Sequence, residues 1–331
     1  MKAARAAIGT AVSAFLVWAT LSRVDLPAAG AALGRAAPLG LVLVLGFAWL
    51  EIAVRAWRWR FLLSPLGKVG YGPAFAYTCV GYFANTLLPM RLGDVARAYL
   101  AATALRLSRL ATLGSVVTER LADGLTILAV AAGLGLAVTG ASAMAPVELW
   151  ILLALAAAAV VLALSVLVPR RRPGFQAFLP GVGREFVTRL VQGTEAVRSP
   201  RGVATVVGST LVAYTCAVGS MVAVAGAVGL HLTLAQAAFA IAWIGLSTAI
   251  PAAPGSVGTY EFVGVSVLTL LGQDPASSLA AVVLLHVLGT LPVALVGLVM
   301  TWALHLRVWK LGGSTSPMPV KLAWPQRSSA G

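Results

Sequence analysis

The stretch at residues 85–97, NTLLPMRLGDVAR, sets two arginines, an aspartate, a proline and a glycine between segments that are otherwise almost purely apolar. Proline removes a backbone donor and glycine permits positive φ, so a helix cannot run through unbroken. A second stretch at residues 247–259, STAIPAAPGSVGT, aligns with the first at a shift of 162 positions. The shift matches Thr86 with Thr248, Pro89 with Pro251, Gly93 with Gly255 and Val95 with Val257, and Leu88 meets Ile250. Each copy reads as helix, break, helix. A chain rich in Ala, Gly and Val can produce such a match by chance, but here the flanking segments repeat as well. A broken helix at membrane depth is tolerated only where it packs in protein or lines a polar cavity, and a repeated one suggests a transport-type site.

The membrane setting comes from composition. The 331 residues are 60% hydrophobic and only 10% charged, with a mean hydropathy of +0.93. That combination describes an all-α polytopic membrane protein. The longest polar pieces, residues 168–201 and the tail after Arg307, are too short to bury a catalytic domain of their own. A net charge of +14 does not point to nucleic acid, because Lys and Arg cluster just outside the apolar runs, as the positive-inside rule requires. Anionic lipid head groups are the better partner. Cys79 and Cys216 lie far apart in apolar runs, and His231, His286 and His305 are scattered, so no disulfide frame, metal site or cofactor motif is expected.

In chain order, Lys2 and Arg5 precede an apolar run at 6–21, read as a first span with its N-terminus inside. A loop with Arg23, Asp25 and Arg35 follows. The second span, 38–57, ends among Arg55, Arg58, Arg60 and Lys68, marking a cytoplasmic end, with Trp49, Trp57 and Trp59 as interfacial anchors. Residues 72–89 are apolar yet flanked by basic residues on both sides, which predicts a re-entrant hairpin. A long helix at 110–138 carries Glu119, Arg120 and Asp123; a loop without Lys or Arg then faces outward, and 149–168 crosses back to Arg170, Arg171 and Arg172. Residues 183–201 read either as an amphipathic helix on the inner leaflet or as a solvated linker. Residues 203–230 cross outward, 234–271 form the second broken hairpin, and 276–306 return to a basic end. The expectation is one integral membrane domain, 1–311, and a disordered cytoplasmic tail, 312–331. It has about six full transmembrane helices and two re-entrant hairpins, in inverted repeats at 38–140 and 203–306; if the hairpins cross, the spans number eight or more.

The charges inside the spans need an explanation. Glu119 lies about 15 Å beyond Arg109 along its helix, near the bilayer centre, where a charge costs on the order of 3 kcal/mol. Glu119 and Asp123 share a helix face and Arg120 is three residues from Asp123, so the cluster wants another cation; Arg91 and Arg97 are nearest by topology. Asp94, just after Gly93, is placed to cap the second half-helix, Glu261 follows the glycine turn of the second break, and Glu51 and Arg55 form an i,i+4 pair. Two readings stand: the charges neutralise one another to hold the bundle, or Arg91, Arg97 and Arg120 line a polar path for a lipid phosphate, which arginine's planar fork suits.

With these residues stated, the chain resembles the flippase-like family named after the transmembrane region of lysylphosphatidylglycerol synthase. The resemblance rests on Asn85, Pro89, Arg91, Gly93 and Arg97, on Glu119-Arg120-x-x-Asp123, and on Pro254-Gly255-x-x-Gly258-x-x-Glu261, and it spans about residues 5–308. Asp94 stands where the family pattern has Glu. Two-domain members carry a cytoplasmic aminoacyl transferase after the membrane part, whereas this chain ends in a short polar tail, so synthase activity is not carried over. The resemblance implies a plasma-membrane protein with both termini cytoplasmic, associated with lipid translocation. Three functions follow: a translocase or lipid-binding transporter for a phospholipid, anionic or modified; a membrane scaffold recruiting a separate lipid-modifying enzyme; or an intramembrane enzyme using Glu119, Asp123 or Glu261. No nucleotide-binding loop or nucleophile motif is present, which favours a non-enzyme.

The basic flanks of the first hairpin generate a topological test. Single cysteines at Arg60 and Arg106 should both react with a membrane-impermeant thiol reagent only from the cytoplasmic side, and one at Ser142 only from outside. Labelling of Arg60 and Arg106 from opposite sides would remove the re-entrant hairpin.

Overall fold

The computed structural model describes residues 2–88, 91–139, 188–248 and 253–304. Pro89 and Pro251, the expected span at 149–168, the arginines at 170–172 and the tail lie outside the described residues. Every regular element among the described residues is helical. The helices are α1 (Lys2–Leu21), α2 (Leu26–Gly34), α3 (Pro38–Leu63), α4 (Tyr71–Leu87), α5 (Leu92–Ala104), α6 (Arg109–Thr139), α7 (Pro200–Ala227), α8 (Leu234–Ser247), α9 (Thr259–Leu270) and α10 (Pro275–Ala303), with 3-10 turns at Glu195–Arg198 and Pro254–Ser256.

Three of these, α3, α7 and α10, are long and apolar enough to cross a membrane. Each presents large apolar side chains to its surroundings in helical stripes: Leu39, Val42, Leu43 and Leu50 on α3, Val203, Val207 and Leu211 on α7, and Leu291, Leu295, Leu298 and Trp302 on α10. Such faces are costly in water and suited to acyl chains. The half-helices are shorter. At 1.5 Å per residue, α4, α5, α8 and α9 extend only about 26, 20, 21 and 18 Å, each less than the roughly 30 Å hydrocarbon core.

α3 packs on α7 with Gly40 close against Ala223 and Ala227 and Val44 in one core cluster with Met221 and Val224, so that a glycine lets the backbones approach. The pair is antiparallel: Ala37 at the start of α3 donates to Ala227 O at the end of α7 (2.9 Å), while Leu62 near the end of α3 clusters with Val206 near the start of α7. α4 lies against α10, and α8 against α6. Cys79 of α4 shares a core cluster with Val293 of α10, and Ala131 of α6 shares one with Ala242 of α8. α1 packs on α9.

The element series follows the sequence expectation, with three corrections. The loop expected to carry Arg23, Asp25 and Arg35 contains α2, started by Asp25, whose carboxylate accepts from Ala28 N–H (3.0 Å), with a proline in its first turn. α3 continues past residue 57 to Leu63, because Arg58 and Trp59 are buried rather than interfacial. Within 188–198, residues 188–192 are helical, and the turn at Glu195–Arg198 is no solvated linker: it packs against α3 and α7, with Ala196 and Val197 buried beside Leu62 and Val206. Ser199 and Asp274 cap α7 and α10, and the Ser277 N–H on Asp274 holds that carboxyl below its usual range.

The closest approach in the first hairpin falls at Gly93, where a Cβ would overlap the Gly81 carbonyl oxygen of α4 and stand 2.6 Å from Asn85 N. Gly93→Ala should therefore destabilise the protein by roughly 1–3 kcal/mol as overpacking does, while Gly46→Ala, which meets open space, should be nearly neutral. Thermal unfolding of the two purified variants in detergent checks this; equal midpoints would refute the close packing of α4 on α5.

Candidate functional site

The first break is stabilised across its gap rather than by its own first turn. Asn85 Oδ1 at the end of α4 accepts from Gly93 N–H at the start of α5 (2.8 Å), so one half-helix satisfies an orphan donor of the other. Arg91 sits before α5 in the left-handed region, φ 53°. Asp94 does not cap α5 as expected. Its carboxylate faces Arg97 Nε (3.4 Å) and Arg120 Nε (3.3 Å) instead, because two guanidiniums attract it more strongly than backbone donors do.

These contacts open into a buried ion network. Arg97 Nη2 donates to Glu119 Oε2 (3.0 Å), and its guanidinium lies 4.8 Å from the Trp59 ring centroid. Arg58 reaches Glu119 Oε1 (3.1 Å) and Asp123 Oδ1 (2.7 Å), and Thr210 Oγ1 on α7 accepts from it as well. Arg55 bridges Glu51 (2.8 Å) and Asp123 (2.7 Å). Arg120 closes the ring on Asp94, Glu119 (3.3 Å) and Asp123 (3.6 Å). Four guanidiniums thus meet four carboxylates, drawn from α3, α5 and α6. Arg58 and Arg97 are at most 1% exposed, as is Glu119. A lone charge so placed would be strongly unfavourable, and mutual neutralisation is what permits the burial.

The second break carries no arginine. Its turn is glycine-borne: Gly255 and Gly258 have φ 72° and 90°, and Ser256 is left-handed at 59°. Glu261 Oε2 accepts from Gly258 N–H (2.7 Å), and Ala253 N–H donates to Ser13 Oγ of α1 (2.8 Å). The other Glu261 oxygen meets His286 Nδ1 of α10 at 2.6 Å, and the Tyr260 ring stacks on the imidazole at 4.1 Å.

Both breaks line one cavity of about 130 Å³, on the order of ten times the space one water needs. Asn85, Thr86 and Arg91 come from the first break, Thr248 and Ser256 from the second. Tyr82, Tyr260, His286 and Thr290 complete its polar wall. Arg91 makes no hydrogen bond or ion pair among the described residues, so its guanidinium is available to a guest.

A comparison with family models matches residues 6–297 to the lysylphosphatidylglycerol synthase TM region. The match covers most of the chain. The chain belongs to that family. A search of curated proteins found no match.

The residues on which the resemblance rests, and Asp94 beside them, fall mostly in the ion network or around the cavity. Arg97, Glu119, Arg120, Asp123 and Asp94 lie in the ion network; Asn85, Arg91 and Gly255 line the cavity, with Gly258 and Glu261 just behind it and Gly93 at the helix crossing; Pro254 opens the 3-10 turn. The sequence expectation that Arg91 or Arg97 supplies the missing cation holds for Arg97 and not for Arg91. Arg55 and Arg58, whose position suggests a cytoplasmic end, supply further compensation: both pair with Asp123, and Arg58 also with Glu119. Glu51, Arg55 and Arg58 recur at spacings of four and three, which sets them on one helix face and was the available signal. Trp59 is the floor under Arg97 and donates to Ser115 Oγ (3.1 Å), not an interfacial anchor. His286 is scattered from the other histidines in sequence; its signal is that it lies alone within an apolar span.

Removing one partner from this network strands the others. Arg97→Met should cost roughly 3–5 kcal/mol by leaving a buried carboxylate under-compensated. The double variant Arg97→Met/Glu119→Gln restores the charge balance and should recover part of that loss. Thermal midpoints of the three proteins check the coupling, and additive losses would exclude it.

Proposed function

We propose that this protein carries a phosphate-bearing membrane lipid between leaflets, with the head group held in the cavity between the two breaks and the acyl chains left in the bilayer. The observation that carries this reading is that both broken hairpins and one uncommitted guanidinium, Arg91, face the same cavity. A phosphodiester crossing hydrocarbon needs a positive, hydrogen-bonding station, and arginine offers a planar fork that stays charged. Ser256 and Thr290 add hydroxyls around it, while Thr86 and Thr248 already donate theirs to Phe83 O and Gly245 O. Arg97 is the weaker choice for the guest, since its guanidinium already serves Glu119 and Asp94.

The architecture we infer is one membrane domain of two inverted repeats, α3–α6 and α7–α10, each with a hairpin that returns to its own side. Antiparallel α3 and α7 and half-helices shorter than the hydrocarbon core support it. So does contact symmetry: α4 packs on α10 as α8 packs on α6, and a shift of 162 carries the Cys79–Val293 pair onto Ile241 and Ala131, where Ala131 clusters with Ala242. Basic residues at the ends of α3 and α5 support a plasma-membrane topology with cytoplasmic termini. Recruitment of a lipid-modifying enzyme remains compatible with such a carrier. A second reading, an intramembrane enzyme acting on a lipid phosphate, is favoured by one observation, the Glu261–His286 acid–base pair beside Arg91.

Proteoliposomes containing fluorescent phosphatidylglycerol test the proposal through leaflet sidedness. Wild-type protein should move the probe; Arg91→Ala should slow it about ten- to a hundredfold, the loss expected of a charge-assisted hydrogen bond, and Arg91→Lys should fall between. Mass spectrometry of the recovered lipid separates the readings, because a changed head group would mean an enzyme. Neither movement nor chemical change with any anionic or aminoacylated lipid would refute both and leave partner recruitment.

A further inference from the structure

We propose that the Glu261–His286 pair is a proton site, and that a phosphate group occupies the cavity together with one proton, making the protein a proton-coupled carrier. This rests on the lipid-carrier reading and supplies what that reading lacks, a source of drive.

The geometry sets the tautomer. Glu261 is acceptor-only when ionised and already takes the Gly258 N–H on Oε2, so the 2.6 Å contact to Oε1 is an Nδ1–H donated by His286. A neutral imidazole that donates its Nδ1–H as a hydrogen bond to Glu261 has an acceptor lone pair on Nε2, and that atom has no protein partner among the described residues. His286 lines the cavity. A phosphate oxygen is also an acceptor, so phosphate and neutral Nε2 repel. Protonation at Nε2 turns the same atom into a charged donor, and the phosphate then meets guanidinium on one wall and imidazolium on the other. The carboxylate behind the ring stabilises that imidazolium, as a carboxylate behind a histidine commonly does.

Charge balance leads to the same stoichiometry. The groups facing His286 are Glu261 and Tyr260 from α9, Tyr82 from α4 and Arg91 from the first break. α3 brings the internally paired Glu51 and Arg55, α7 brings Cys216 near that pair, and α2 carries no titratable residue. With His286 neutral, Arg91 and Glu261 cancel. A phosphodiester alone makes the site singly negative in a low-dielectric setting; a phosphodiester plus one proton restores neutrality. The proton enters Nε2 from the side on which the phosphate loads and leaves from Nε2 where it unloads, with no bond to carbon or phosphorus changed. Because Glu261 also holds the Gly258 turn, which lies against Ser13 of α1, the protonated and neutral states act on the second break directly.

Calorimetric titration of the detergent-solubilised full chain with dihexanoyl phosphatidylglycerol, in two buffers of different ionisation enthalpy, counts protons taken up on binding. The expected result is a net uptake approaching one proton per bound lipid, with affinity rising by up to about tenfold per unit fall in pH while His286 is neutral in the free protein. His286→Gln should bind without proton uptake and lose the pH dependence, and Glu261→Gln should reduce both; size exclusion and thermal midpoints establish that each is folded, and if one variant fails to fold the other decides. Binding by wild type without proton uptake, or undiminished uptake in the folded variants, overturns the coupling and leaves the lipid carrier standing. Absence of lipid binding at every pH overturns both, and binding of inorganic phosphate alone would assign the cavity to a soluble anion and overturn both as well.

Discussion

The buried ring of four arginines and four carboxylates is the interaction on which the rest of the structure depends. α5 is about 20 Å long, too short to span and broken from α4, so its own backbone cannot fix its depth or rotation in a bilayer. Arg97 and Asp94 do so by engaging α3 and α6 at once, through Glu119 on one side and Arg120 on the other. Each charge taken singly is unfavourable at this depth. The network is therefore all or nothing: its balance holds the first break rigidly in one arrangement, with Trp59 shielding the Arg97 guanidinium face.

The second break solves the same backbone problem with different chemistry. It has glycines at φ 72° and 90° where the first has Arg91 at 53°, and a capping Glu261 in place of an ion ring. Its outside support is the Ser13 hydroxyl of α1, which accepts from Ala253 N–H and brings no charge. A hydrogen-bonded turn braced by one added helix is easier to rearrange than a hinge locked by eight charges. If the two hairpins serve as alternate gates, the second is the one built to move, and it is also the one that carries a titratable pair.

Much of the helix order was legible in the sequence because it depends on local causes. Pro and Gly interrupt, apolar runs persist, and basic residues end them; α6, α8 and α9 fall within a few residues of their expected limits. α2 was missed because nine residues of Leu, Ala, Gly and Pro carry no amphipathic signal, and its start is set by Asp25, a single capping side chain. In the site, Arg97, Glu119, Arg120 and Asp123 were found because an ionisable residue inside an apolar run announces itself. Their partners Arg55 and Arg58 looked like a helix end, since a basic residue near residue 58 of α3 has the same sequence signature whether it meets water or Asp123. His286 and Glu261 are brought together from different helices, and no spacing rule predicts such a contact.

The balance of the network also decides which arginine can serve a guest. For a phosphate to recruit Arg97 it would have to displace Glu119 or Asp94, leaving a carboxylate buried at 1% or 14% side-chain exposure with one cation fewer. The energy released by the new pair would be offset by the one abandoned, and the walls formed by α3, α5 and α6 would shift with it. Arg91 pays no such exchange cost, since its guanidinium has no ion-pair partner among the described residues to give up. Its left-handed backbone, a conformation that costs a non-glycine residue roughly 1–3 kcal/mol, is held in place by the same Asn85–Gly93 bridge and ion ring that keep the other arginines occupied. The network thus acts on the guest indirectly: by occupying Arg55, Arg58, Arg97 and Arg120, it leaves Arg91 as the guanidinium that faces the cavity among the described residues.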